Sequence, residues 1–326
     1  MIKSLSFANY RGFTSLKVSP LRRINLITGA NNTGKTTILE AIFLLLAHSQ
    51  KIPGLPGLFR TNVHGPTHHI NADDFYTFWQ FVPNTSVPDS NALIVGQIDE
   101  EDSLTCLIQR NEGYVEIARH DETPFKVKPD NYFFDSSIPG GVMVVSTRLQ
   151  APIGDSDLYN RVTLQSGGEE KLLSLLKVVD PRLEKLRYVK APGTTTPLVY
   201  AYFGKDGALS INQAGEGFNK LFALFCRMIL GSAHTLLIDE IENGLYYETM
   251  PEIWRGIAAF ARSEDVQVFA TTHSRECIMA AHEAMESTGY YDFALHRLQW
   301  VKGKLEVVTH DQEMLDEAAK AGMEVR

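Results

Sequence analysis

Residues 24–46, INLITGANNTGKTTILEAIFLLL, decide the fold. Ile24, Leu26 and Ile27 read as a buried strand, and the residues after Thr37 are apolar nearly all round, which predicts a buried helix. Between them, Gly29 to Thr36 match G-x-x-x-x-G-K-[ST]. These residue types suit a phosphate. Glycines let backbone N–H groups turn inward around an anion. A helix N-terminus adds a favourable field worth about 1 kcal/mol. Lys35 supplies a cation for β- and γ-phosphates, and Thr36 a hydroxyl for Mg²⁺. Gly29, Asn31, Asn32, Thr33, Gly34, Lys35, Thr36 and Thr37 are therefore the expected nucleotide-binding residues.

Two later stretches complete the pattern. HTLLIDEIENGLY contains a buried strand, Thr235 to Ile238, ending in Asp239-Glu240. Ligands bind at the carboxyl ends of strands in open α/β sheets. Asp239 is placed to hold Mg²⁺, and Glu240 to act as general base towards water. VQVFATTHSREC is a third strand with His273 at its tip, where an imidazole can donate to a γ-phosphate.

The chain has 326 residues, with 44% hydrophobic and 21% charged, as in an ordinary globular protein. Cys106, Cys226 and Cys277 are scattered without a C-x-x-C pair, which argues against a zinc ribbon or disulfide framework and suits a reducing cytoplasm. The start, MIKSLSFANYRGF, alternates like a strand and lacks a signal peptide's apolar run, and ILEAIFLLLA is too short to span a bilayer. No membrane is expected. The net charge of −8 means that DNA binding, though open, needs a local basic patch.

Residues 164–172, LQSGGEEKL, look like the L-S-G-G-E/Q signature of ABC-type ATPases. That turn caps a helix packed beside the acidic strand, with one helix and a turn between them. From Gly168 to Asp239 is 71 residues, far too many. From Gly217 it is 22, which fits, and Leu221, Phe222, Leu224, Phe225, Met228 and Ile229 give that helix a broad apolar face. The working signature is therefore Asn212-Gln213-Ala214-Gly215-Glu216, while LQSGGEEKL is a loop leading into a packed helix.

With FANYRGF ahead of them, these four elements resemble the SMC/RecF/OLD branch of ABC-type ATPases, and the stand-alone OLD/RecF-like AAA members most. The GEG turn and the closing run LHRLQWVKGKLEVVTHDQEMLDEAAKAGMEVR share that resemblance, which fades between about 50 and 200. It implies an α/β P-loop ABC-type ATPase fold: a mixed central sheet with an antiparallel β-subdomain and a helical lid. The expected core is 1–50 with 200–326, and the insert is 51–200. It also implies that ATP and Mg²⁺ are the ligands and that ATP is hydrolysed. Asn9 and Arg11 would lie near the base and phosphates. Gln150 would reach Mg²⁺ as the Q-loop residue, although Gln97 also follows a strand. ENGLY, Glu242 to Tyr246, occupies the D-loop position, which touches the partner subunit in the family. Gln213, Ala214, Gly215 and Glu216 would act in trans on a second copy's γ-phosphate, though Gln213 stands where the family has serine. Sustained heptads of the SMC type are missing, and the 53 residues after His273 are too few for a TOPRIM nuclease. A nuclease-like effector is expected from a separate polypeptide.

Residues 91–120 read as short antiparallel strands, and LRYVKAPGTTTPLVYAYFGKDGALSI as strands with a Gly-Lys-Asp-Gly turn. Arg161, Lys171, Lys177, Arg182, Lys185, Arg187 and Lys190 form either a solvated face or a docking surface for nucleic acid or an acidic partner. His64, His68, His69, Asp73 and Asp74 form either an exposed loop or a metal site. The leading functional reading is a dimeric ATP switch controlling a separate effector in anti-phage defence. The alternatives are a RecF-like DNA-binding repair protein and a nucleotide-sensing scaffold with negligible turnover.

Overall fold

The computed structural model describes residues 1–59, 69–70, 72–84, 91–120, 122–129, 132–133, 141–145, 152–190, 197–231 and 233–321. In chain order the elements are β1 (Ser4–Tyr10), β2 (Phe13–Val18), β3 (Ile24–Gly29), α1 (Lys35–Leu46), α2 (Leu55–Phe59), β4 (His69–Ile70) and α3 (Ala72–Trp79). Next come β5 (Ala92–Gln97), β6 (Ser103–Asn111), β7 (Tyr114–Arg119), β8 (Phe125–Val127), β9 (Tyr132–Phe133), β10 (Val142–Val145), α4 (Pro152–Thr163) and α5 (Gly168–Val179). Then follow β11 (Lys185–Val189), β12 (Leu198–Tyr202), β13 (Ala208–Ser210), α6 (Glu216–Leu230), β14 (Thr235–Ile238) and α7 (Met250–Ser263). The chain closes with β15 (Gln267–Thr271), α8 (Arg275–Ser287), β16 (Phe293–Val301), β17 (Lys304–His310) and α9 (Gln312–Ala321).

The central sheet runs β10-β14-β15-β3-β16-β17 and is parallel up to the β16–β17 hairpin. Strands buried on both faces read as continuous apolar runs, which is why TLLI and QVFAT are buried at every position. Side chains alternate across the sheet. Leu236, Ile238, Val268 and Ala270 join one core beneath α6, α7 and α8, while Leu237 and Phe269 join another around α1. A second sheet, β2-β1-β5-β6-β7-β8, is antiparallel and shares the α1 core. The helix α1 thus lies between two sheets, which explains its apolar character on every side.

The mixed sheet, the antiparallel subdomain and the helical region around α4 and α5 match the expected fold. Two strand pairings cross the expected division at residues 50 and 200. From the side of the core, β1 and β2 complete the antiparallel sheet through β1–β5 pairing. From the insert, β10 supplies the edge of the central sheet beside β14, because the buried run VMVV needs a ladder to satisfy its backbone. LQSGGEEKL is a turn into α5, with Gly167 at the cap. The seven basic residues between 161 and 190 are exposed. Arg182 pairs with Asp180 and Arg187 with Glu169, and Lys185 lies over the Tyr202 ring. Of the histidine-rich stretch, His64 and His68 lie outside the described residues and Asp73 is exposed. Among the described residues, no helix is long and apolar enough to cross a membrane.

A polar bridge crosses the buried β3–β16–β17 region. His296 Nε2 meets Asn25 Oδ1 at 3.2 Å and its Nδ1 meets Thr309 Oγ1 at 3.0 Å. Burial pushes this imidazole down to about 3, and His310 adds to the effect. An unfolded histidine takes its proton near pH 6.5. Between these values the unfolded chain binds a proton that the folded chain refuses, so stability is full above pH 6.5 and falls as pH drops towards 3. This one residue should make the protein about 2 kcal/mol less stable at pH 5 than at pH 8. Urea midpoints at the two pH values should show that loss shrinking by a similar amount in His296→Gln; an equal loss in both proteins contradicts the assignment.

Candidate nucleotide site

The phosphate loop joins β3 to α1, and its two motif glycines are required by space as well as by backbone conformation. At Gly29, φ is 144°, and a Cβ would lie 2.5 Å from the carbonyl oxygen of Leu298. At Gly34, φ is 94°, and a Cβ would lie 2.6 Å from the Phe13 ring. The loop is thus clamped between β16 and β2. Asn31 and Asn32 are exposed, Thr33 and Thr37 buried. Asn32 takes a left-handed φ of 62°. Lys35 is only 7% exposed and folds back over its own loop, donating to the carbonyl oxygens of Gly29 (2.8 Å) and Ala30 (3.0 Å). Burial lowers its affinity for a proton, and Asp239, Glu240 and Glu242 partly restore it.

Parallel pairing brings three strand ends to the same height. The Thr36 hydroxyl lies 3.2 and 3.3 Å from the two Asp239 oxygens, and Thr271 donates to Asp239 Oδ1 at 2.7 Å. Burial raises the Asp239 carboxyl above its usual range, Glu240 adds to this, and the hydrogen bonds from Thr271 and Thr36 oppose it. A hydroxyl and a carboxylate side by side are the hard oxygen donors that Mg²⁺ takes, and that charge would offset the desolvation of Asp239. The donor set therefore fits the expected ion.

Glu240 sits in the left-handed region with φ 48°, a strain of about 1 kcal/mol or more for a non-glycine residue. Its peptide is held at both ends. The Glu240 N–H donates to Thr271 Oγ1 at 2.8 Å, and the Lys220 ammonium donates to the carbonyl oxygens of Glu240 and Asp239. The carboxylate accepts from Asn243 Nδ2 at 2.6 Å and faces His273 Nε2 at 3.7 Å. The His273 backbone N–H donates to Glu242 Oε1 at 2.5 Å. Lys35, Thr36, Asp239, Glu240 and His273 are thus gathered at one end of the sheet.

The signature turn stands at the start of α6, with Gly215 at φ 104° and exposed. Ala214 is half-buried, and the side chain of Glu216 lies outside the described residues. Gln213 is turned back: its Oε1 accepts from the Ser210 N–H and hydroxyl in a capping box. Two residues further on, α6 packs directly on the D-loop position of the same chain, since a Cβ on Gly217 would lie 1.7 Å from the Gly244 carbonyl oxygen.

Two expected residues do not join the cluster, and the third is not among the described residues. Arg11 is drawn inward, with Nε 2.7 Å from the buried Glu40 carboxylate and its guanidinium 4.2 Å from the Phe78 ring centre. Asn9, at φ 52°, uses its carbonyl to accept the Asn84 N–H. Gln150 lies outside the described residues. Its rival Gln97 donates to the Asp99 carbonyl in the β5–β6 turn.

The sequence reading missed Lys220, Thr271, Glu242 and Asn243. Lys220 left one signal, a lone cation inside the otherwise apolar run FNKLFALFC. It is 3% exposed, and burial pulls its ammonium down to about 8 against the opposing pull of Glu242, Asp239 and Glu240.

The chain is similar to several known proteins. A protein from Helicobacter pylori named "ATP/GTP phosphatase" is 21% identical over 324 residues, covering 85% of this chain and 86% of its own. The DNA replication and repair protein RecF of Idiomarina loihiensis is 36% identical over 75 residues, 23% of this chain and 21% of its own. Among solved structures, the SMC head bound to the C-winged helix domain of ScpA superposes with a TM-score of 0.62 at 13% identity, covering 97% of this chain and 99% of that one. An "AAA ATPase domain" model matches residues 1–120, and the model "AAA domain, putative AbiEii toxin, Type IV TA system" matches residues 113–278, just over half of the chain. The chain therefore belongs to this second AAA family, on a P-loop ABC-type ATPase fold of the SMC/RecF branch.

Proposed function

We propose that the protein hydrolyses ATP as a dimeric switch and that the switch controls a separate effector, such as a nuclease, in anti-phage defence. The observation that carries the reading is the exposed turn at Gly215, braced through Gly217 on the Gly244 turn of its own chain and exposed at Gly215 itself. An exposed helix N-terminus with a left-handed glycine is a ready anion site. In this reading it serves the nucleotide of a second copy, and two-fold symmetry makes two equivalent sites. Tyr246 and Tyr247, both exposed beside the D-loop, suit the same self-contact. The family's name, which links it to a Type IV TA system, is in keeping with a protein that works through a second component.

In each site, Lys35 releases the carbonyls of Gly29 and Ala30 and turns to the β- and γ-phosphates. Thr36 and Asp239 hold Mg²⁺, which supplies neutralisation of phosphate charge. The Glu240 carboxylate takes a proton from water, and Asn243 and His273 hold that carboxylate in line. The His273 N–H side donates towards the γ-phosphate and loses that partner once the phosphate leaves. The ATP-loaded form favours closure to the extent that the trans signature adds contacts, so hydrolysis returns the population to the open state.

Two variants test this reading. Glu240→Gln should keep ATP binding, lower phosphate release about 100-fold or more, and accumulate an ATP-dependent dimer detectable by light scattering. A variant that turns over like wild type, or one that stays monomeric with ATP, contradicts the base assignment or the switch respectively. Lys220→Met should leave nucleotide affinity near wild type while lowering kcat about 100-fold, because it releases the Glu240 peptide from its position. A change confined to nucleotide affinity would remove Lys220 from that role.

A further inference from the structure

Far along α8 from the phosphates, His282 is buried against α9. Its side chain is 5% exposed, and its Nε2 points at two carboxylates. Asp316 Oδ1, from α9, lies at 2.9 Å, and Glu286 Oε2, one helical turn on from His282, lies at 3.7 Å. All three ligand atoms lie within 4.8 Å of one another. On the far side of the ring, Nδ1 meets the Tyr291 hydroxyl at 2.7 Å.

A single N–H on Nε2 can point in line at only one of the two carboxylates, leaving the other charge without it. Two carboxylates and one buried imidazole nitrogen, from positions i, i+4 and a neighbouring helix, instead form a three-ligand face. A tetrahedral cation with bonds of about 2.0–2.2 Å sets its ligand atoms roughly 3.4 Å apart. The observed separations bracket that value, so small side-chain rotations would seat the ion. The ring is also placed as a ligating histidine is placed: with a cation on Nε2, Nδ1 would carry the proton and donate to the phenol oxygen 2.7 Å away. Burial and the charges of Asp316, Glu286 and Asp311 keep the Tyr291 phenol protonated, and the same three acids make the surroundings favourable to a cation.

We infer that His282, Glu286 and Asp316 bind a divalent first-row transition cation, of which Zn²⁺ is the best match, and that the ion pins α9 to α8. One nitrogen and two carboxylate oxygens suit Zn²⁺ better than Mg²⁺, which prefers an all-oxygen octahedron and keeps its waters. A fourth position is left for water. The dication balances the two carboxylates that otherwise converge on a single imidazole. Its site is separate from the phosphate loop, and its role is structural.

The test uses the full chain in millimolar Mg²⁺, without nucleotide, titrated with ZnCl₂ alone. Wild type should take up one more Zn²⁺ per chain than the double variant Glu286→Gln/Asp316→Asn, and Tyr291→Phe should weaken that uptake about tenfold. Hydrogen exchange on wild type, which needs no variant to fold, should show Zn²⁺ slowing the amides of residues 312–321. Equal uptake by wild type and the double variant, or exchange across 312–321 unchanged by Zn²⁺, overturns the site.

Discussion

Three parallel strands must end at one height for this site to exist, and the Asp239 carboxylate is where they are tied. Thr36 reaches it from the helix after β3, and Thr271 from the end of β15. The pairing registers Leu237↔Phe269 and Phe269↔Asn25 fix the heights of those ends before any side chain is chosen. A slip of one residue would turn Asp239 from the site into the core, because strand side chains alternate. The apolar alternation of Leu236, Leu237 and Ile238 between two separate cores makes such a slip costly, since it would drive every one of them to the wrong face. Packing therefore sets the position of the ion ligand, and chemistry only selects its identity.

What the sequence made legible follows from range. The phosphate loop is one continuous stretch whose glycine and lysine requirements are local, so it reads directly. The acidic strand and His273 read well because a buried parallel strand is a short apolar run with a polar tip. Spacing alone separates the candidate turn at Gly215 from LQSGGEEKL, since one helix fixes the distance to Asp239. Most of the missed parts are long-range. Arg11 reads as a phosphate contact until Glu40 and Phe78, distant in sequence, draw its guanidinium inward. Sequence cannot show that β1 pairs with β5 across more than eighty residues, or that Lys220 ends under Glu240. Gln213 occupies the signature position in sequence, and its amide oxygen caps Ser210.

Lys220 and Gly217 give the switch a physical path within one chain. The turn at Gly215 faces outwards, but two and five residues on, the same helix is locked to the D-loop and to the Glu240 peptide. Gly217 allows helix and loop backbones to meet with no side chain between them, and Lys220 replaces a flexible contact with charge-assisted bonds to two carbonyls. A displacement of the turn by a second copy's phosphate would therefore reach the left-handed peptide of Glu240 through rigid, bonded parts. That peptide is strained, and strained backbone persists only where its surroundings over-determine it. Losing one of its holders lets it relax towards ordinary conformations and carries the carboxylate off line.

The energetic scale of such coupling is bounded. A ligand shifts an equilibrium only by its differential affinity for the two states, and moving a population from one per cent to ninety-nine takes about 5.5 kcal/mol. A helix N-terminus meeting a phosphate contributes on the order of 1–2 kcal/mol per site in favourable geometry. Two symmetric sites still fall short of that figure. The remainder has to come from apolar contact between copies, for which the exposed Tyr246–Tyr247 pair beside the D-loop is well placed: its rings already lie 4.9 Å apart, so little side-chain freedom remains to be lost on docking. In this account the phosphate supplies the sign of the switch, and the aromatic surface beside it supplies most of the amplitude.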